Sequence, residues 1–269
     1  MFDDHQLAAL GARRIATDTD PDDLVLPEEA GRRLGLIAHW LAQPPFIFRE
    51  WGIHRFVDGG LRALFCGPSG TGKTMAAVAL ARSTERPLFR IDLGAVTSRY
   101  IGETEKNLQQ LFEVADEAGA ILLFDEADAL LGKRSEVKDA HDRYANIEVS
   151  HLLRRIELFE GLAVVTTNLA GGIDEDAMSR IDVMVDFPMP DAVARETIWQ
   201  KLLAAMKLPQ GDDLDVPALA SHELSGAEIL RAVRVAASYA ASEERKLDMT
   251  LLQAAAAERV KMRAGALTG

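Results

Sequence analysis

From Arg62 to Asp186, short apolar runs alternate with longer amphipathic stretches. The runs are Ala63-Leu64-Phe65-Cys66, Leu88-Phe89-Arg90-Ile91, Ala120-Ile121-Leu122-Leu123-Phe124, Leu162-Ala163-Val164-Val165 and Val183-Met184-Val185. Runs that are apolar without alternation suit strands buried on both faces, and helical stretches between them predict a parallel sheet held between layers of helices. The predicted fold class is therefore α/β. Ahead of the runs, Pro27-Glu28-Glu29 sets proline and two acids in a first helical turn, and Leu34, Ile37, Ala38 and Leu41 recur at helical spacing until Pro44-Pro45. After Phe187-Pro188-Met189-Pro190 the alternation stops. Asp191 can cap a helix carrying Ile198, Trp199, Leu202 and Leu203, and Ser225 a second carrying Ile229, Leu230, Val233 and Ala237; a third runs near Thr250 to Arg263. The self-repelling Thr17-Asp18-Thr19-Asp20-Pro21-Asp22-Asp23 predicts a loosely packed lead-in. The expected division is an acidic, flexible lead-in over 1–26, a helical segment over 27–60, an α/β domain over 61–190 and a small all-α domain over 191–269.

Composition narrows the function classes. The chain has 269 residues, of which 48% are hydrophobic and 27% charged, enough apolar material for a sizeable core and unlike a disordered chain. Against 42 Asp and Glu stand 30 Lys and Arg, so a net charge of −12 opposes nucleic acid and anionic lipid as partners. Cys66 is the only cysteine and the histidines lack metal-ligand spacing, which leaves no disulfide framework and no support for zinc. No apolar run approaches the roughly 18 residues of a membrane span. The start, Met1-Phe2-Asp3-Asp4-His5, is acidic where a secretory leader is basic, and the expected location is cytoplasmic.

Between the run ending at Cys66 and a helix beginning near Met75 stands Gly67-Pro68-Ser69-Gly70-Thr71-Gly72-Lys73-Thr74, the G-x-x-x-x-G-K-[ST] pattern in the context its mechanism requires. Its glycines let successive N–H groups form an anion nest at a helix N-terminus, Lys73 reaches the β- and γ-phosphates, and the Thr74 hydroxyl ligands Mg2+. Gly67 to Thr74 and Met75 form the expected ATP-binding set. Asp125 and Glu126 follow another buried run, and open parallel sheets collect ligands at that edge. There Asp125 would hold Mg2+ through water and Glu126 would polarise the water attacking the γ-phosphate. Asn168, at the tip of the next run, can orient that water or simply begin a loop. Asp125-Glu126-Ala127-Asp128 also spells a tetrapeptide that names a helicase family, but no Ser-Ala-Thr motif accompanies it.

These motifs in this order resemble the AAA+ ATPases, specifically the AAA clade that remodels proteins as rings. The resemblance covers about Leu61 to Ala241 and includes Ile173-Asp174-Glu175-Asp176-Ala177-Met178-Ser179-Arg180, the Phe187 to Asp191 link and Leu224-Ser225-Gly226-Ala227-Glu228. Ser98 to Lys106 and Gly132 to Glu148 look most like bacterial AAA ATPases encoded with phage-tail-like contractile injection systems. The resemblance implies a P-loop NTPase with a five-stranded parallel sheet of order 5-1-4-3-2, which matches the five apolar runs, followed by a helical lid over the nucleotide. It further implies Mg-ATP hydrolysis, a homo-oligomer, expected as a hexamer, and a protein client. Arg180 matches the arginine that completes a neighbouring subunit's site, and Tyr100-Ile101-Gly102 matches the pore loop that grips polypeptide. Two positions stand out, the first a departure from the family's pattern. Ser179 and Asp182 flank Arg180 where many AAA proteins carry a second arginine, and Ala227 stands where many AAA+ proteins place a lid arginine, as the AAA clade usually does. Proteins of the injection-system group carry longer N-terminal regions, so the chain reads as a short form or an isolated module. A competing reading is an ATP-gated assembly factor or scaffold with slow hydrolysis; a DNA-acting loader comes third because of the acidic charge.

Overall fold

The computed structural model describes residues 3–17, 19–43, 50, 52, 59–93, 101–132, 150–169, 171 and 173–266, with backbone alone at 101–105 and 265–266. The apolar runs become strands of one sheet: β2 (Leu61–Cys66), β3 (Leu88–Ile91), β4 (Ile121–Phe124), β5 (Leu162–Thr167) and β6 (Val183–Asp186). Every pairing among these five is parallel. Their side chains explain the absence of alternation in the sequence, since β4 and β5 are buried at every position. Taken alone, the parallel strands run in the relative order 5-1-4-3-2.

Among the described residues the sheet nevertheless has six strands, in the order β1-β3-β4-β5-β2-β6, because β1 (Ala12–Ile15) adds antiparallel to the outer edge of β3. This corrects both the five-stranded expectation and the flexible lead-in. Asp3 caps α1 (Asp4–Ala9) through a capping box with Gln6, and Leu7, Leu10 and Ala12 are buried. Arg14 of β1 sets its guanidinium 5.5 Å from the ring centroid of Phe89, its partner across the strands. Three buried apolar side chains and a covered sheet edge suffice to order a stretch whose composition is polar.

Around the sheet, α2 (Glu28–Ala42) buries Ala30, Leu34, Ile37 and Leu41 and packs beside β6, where Arg33 donates to the Met184 carbonyl. The helices α3 (Lys73–Ser83), α4 (Ile101–Ala118), α5 (Asp128–Leu131) and α6 (Glu175–Met178), together with helical residues 150–158, complete the layers. One core joins Leu111, Phe112, Leu122, Phe124, Ile156 and Phe159. At the start of β6, Arg62 grips Asp182 through two side-chain contacts of 2.7 and 2.9 Å, so the acid beside Arg180 serves sheet pairing.

The chain divides into two compact units, the second comprising Val25–Pro27, Pro68–Gly72 and Phe187–Gly269. Its helices are α7 (Ala192–Ala205), α8 (Val216–Ala220), α9 (Gly226–Ser242) and α10 (Met249–Ala266). Asp191, Asp215 and Ser225 cap α7, α8 and α9 through their side chains. Trp199, Leu219, Ile229, Val233 and Leu252 fill the centre of this unit. Leu230 is a correction to the predicted face of α9: it is 52% exposed, and Ala232, Ala236 and Ala240 take the buried positions instead.

Candidate functional site

The strand-to-helix turn after β2 is built on glycine. Gly67, Gly70 and Gly72 have φ of 142°, 79° and 106°, values an L side chain rarely adopts, and this backbone can turn successive N–H groups toward one anion. A Cβ on Gly70 would lie 2.8 Å from Ser225 Oγ and 2.9 Å from the Ala227 Cβ, within the second unit. Lys73, Thr74 and Met75 open α3, with Lys73 buried and the other two half-buried.

Lys73 Nζ donates to the Gly67 carbonyl at 2.6 Å and to Asn168 Oδ1 at 2.9 Å, which joins the phosphate-loop cation to the tip of β5. Burial pulls its ammonium below the ordinary lysine value, and the carboxylates of Asp125, Asp128 and Glu126 oppose that pull. The negative charge of a triphosphate would offset the solvation that burial takes from the ammonium, which suits this lysine to an anionic ligand.

Asp125 sits just past β4 and is clamped from three sides. The Thr74 hydroxyl lies 3.0 Å from Oδ1, the Thr166 hydroxyl donates to Oδ1 at 2.7 Å, and the Arg90 guanidinium stands 3.0 Å from Oδ2. A carboxylate and a hydroxyl in contact are hard oxygen donors of the kind Mg2+ takes, so Asp125 and Thr74 fit that ion. Glu126 is exposed and has φ of +54°, a left-handed conformation that costs a non-glycine residue about 1 kcal/mol. Its backbone N–H is tied to Thr166 Oγ1 at 2.9 Å. A single fully buried hydroxyl thus donates to the Asp125 carboxylate and accepts from the Glu126 backbone N–H. Asp128 performs a similar service for Asn168, accepting from its backbone N–H at 3.0 Å and from the Thr167 hydroxyl at 2.5 Å.

Lys73, Thr74, Asp125, Glu126 and Asn168 are therefore brought together at the carboxyl edge of the parallel sheet. Arg180 is not among them. It follows α6, and its guanidinium engages Glu157 and, at 3.1 Å, Asp176. Tyr100 lies outside the described residues, and Ile101 and Gly102, expected in a loop, begin the backbone of α4. Sequence reasoning misses Arg90, Thr166 and Asp128 as site residues. Of these, Arg90 carries the one available signal, a charge inside an apolar run.

Residues 63–189 match the family described as "ATPase family associated with various cellular activities (AAA)". The chain is 30% identical over 206 residues to a 26S proteasome regulatory subunit 4 homolog of Oryza sativa subsp. japonica, covering 72% of this chain and 46% of that protein. It is 32% identical over 202 residues to a proteasome-activating nucleotidase of Aeropyrum pernix, covering 72% of this chain and 48% of the relative. A Saccharolobus solfataricus proteasome-activating nucleotidase is 29% identical over 231 residues, covering 83% and 58%. The chain spans about half the length of the curated relatives it matches. AAA ATPase domains bind ATP with Mg2+ and hydrolyse it.

Proposed function

We propose, from the premise that residues 63–189 are an AAA ATPase domain homologous to those of proteasome regulatory ATPases, that this chain hydrolyses Mg-ATP in a ring of like subunits and turns hydrolysis into work on a protein partner. The observation that carries the reading is the meeting of a buried lysine, two acids and an amide at the sheet edge beside a glycine-built loop. In this reading the loop N–H groups and Lys73 bind the phosphates, and Thr74 and Asp125 hold Mg2+, Asp125 through water. Glu126 takes the proton of the attacking water, and the Asn168 amide orients it. The metal, when bound, neutralises charge that develops between the β- and γ-phosphates.

Arg180 supplies charge stabilisation to a neighbouring subunit, for which an arginine fork suits the γ-phosphate. The aromatic segment at Tyr100 grips the client. The kinship with ATPases encoded with contractile injection systems, carried by Ser98 to Lys106 and Gly132 to Glu148, gives the genetic context we propose. Among the described residues no helix is long and apolar enough to cross a membrane.

A second reading, an ATP-gated assembly factor with slow hydrolysis, is favoured by the contacts that hold Arg180 within its own chain on Glu157 and Asp176. Turnover per protomer against protein concentration separates the two. The motor reading expects turnover to rise with assembly and then level off, and Glu126→Gln to bind ATP without turning it over. Turnover that stays negligible at every concentration favours the gated scaffold, and undiminished turnover in Glu126→Gln removes the catalytic assignment.

A further inference from the structure

Arg90 lies in β3 between Phe89 and Ile91, both buried, and opposite Leu123 of β4, itself fully buried. A guanidinium in such a run is costly unless it finds a charge partner. It finds Asp125, whose side chain is 7% exposed against 31% for Arg90. The arrangement follows from register: Asp125 is two residues beyond Leu123, on the diagonal that a long side chain spans across neighbouring strands. The acid assigned to the metal thus already faces a cation and two hydroxyls, those of Thr74 and Thr166, before any ligand arrives.

We propose that Arg90 is a resident counter-cation of Asp125 that keeps divalent metal off this carboxylate while the nucleotide site is empty, so that Mg2+ enters with the triphosphate. The inference rests on the reading of Asp125 and Thr74 as the metal side of an ATPase site. Its physical basis is competition. A unit positive charge at contact distance repels a divalent ion strongly in a poorly solvated pocket, and ATP adds several negative charges that reverse the balance. Arg90 is a positioning residue, acting on the metal through Asp125.

The test uses Mn2+ as the metal probe, with free ion counted by electron paramagnetic resonance in titrations of the whole chain. Without nucleotide, wild type should bind Mn2+ weakly. Arg90→Gln should bind one equivalent about tenfold more tightly. Arg90→Lys, which keeps the charge, should stay near wild type, and Arg90→Gln combined with Asp125→Asn should lose the gain. If the glutamine variant does not fold, Arg90→Met, which keeps the aliphatic stem, carries the same expectation. Equal Mn2+ affinity of wild type and a folded charge-removing variant without nucleotide overturns the proposal. The same titration with ATP present tests the reading beneath it: wild type should hold the Mn2+ of Mn-ATP more tightly than free ATP does and Asp125→Asn should lose that gain, and if wild type and Asp125→Asn hold it equally, the metal-side assignment of Asp125 fails first.

Discussion

Thr166→Val removes one hydroxyl and leaves the shape of a fully buried side chain nearly unchanged. The hydroxyl makes a 2.7 Å bond to the Asp125 carboxylate and accepts the Glu126 N–H at 2.9 Å. A hydrogen bond to a charged acceptor contributes about 1.5–3 kcal/mol and a neutral one about 1 kcal/mol. Asp125 keeps Thr74 and Arg90, and a buried methyl returns about 0.8 kcal/mol, so a net loss of about 2 kcal/mol is expected. For a domain of this size that lowers the melting temperature by about 4–8 °C. The larger consequence concerns Glu126, whose φ of +54° is no longer tied down by the threonine oxygen. Displacing a catalytic carboxylate by about 1 Å costs up to about 10²-fold, so single-turnover hydrolysis should fall by about 10- to 100-fold. ATP affinity, read with a fluorescent analogue, should stay within about threefold, because the residues proposed to bind the phosphates, Lys73 and the glycine loop, are left unchanged. Thr166→Ser should recover most of the rate. A valine variant that melts and hydrolyses like wild type refutes the idea that this hydroxyl organises the two acids.

Three further outcomes follow from the same geometry. Gly70→Ala should weaken ATP binding by about tenfold or more, measured by titration calorimetry, since the new methyl meets Ser225 and Ala227 below 3.0 Å at a φ of 79°. Arg180→Ala should bind ATP normally yet lower assembled turnover by about 10²-fold or more, and Glu157→Gln combined with Asp176→Asn, which removes both carboxylates that hold that guanidinium, should raise turnover at a fixed protein concentration. Burial holds the Lys73 ammonium below its ordinary value, so between the folded and unfolded pKa the unfolded chain binds more protons and stability rises with pH. Denaturant unfolding of the nucleotide-free protein from about pH 8 to about pH 10.5 should show that rising contribution in wild type and not in Lys73→Met.

The parallel sheet and the phosphate loop were legible because each leaves a dense local mark. Ile121, Leu122, Leu123 and Phe124 form an unbroken apolar run that only a doubly covered strand requires, and Gly67 to Thr74 encodes its own turn. β1 left no such mark, since an edge strand needs apolar side chains on one face only, and Arg13 and Arg14 take half its length. Thr166 and Thr167 looked like the polar tip of a run, yet both are fully buried inside β5, their hydroxyls satisfied by Asp125 and Asp128 across the strand gap. Arg180 was legible as a residue type, but its ties to Glu157 and Asp176 depend on a fold that brings position 157 beside 180. In the second unit, periodicity marked α9 but placed Leu230 inward, because a leucine outweighs alanines in any hydrophobic count although Ala232, Ala236 and Ala240 are what close packing admits.

The sheet order carries a consequence for how the protein is made. β2, which leads into the phosphate loop, finds its partners in β5 and β6, so Leu61 waits for Leu162 and Ala63 for Val183. On the ribosome the loop's supporting strand therefore stays without its native partners until β5 and β6 have been synthesised. Released fragments ending before β5 should fail to retain ATP, while a chain released after β6 has every strand needed to close the sheet around β2.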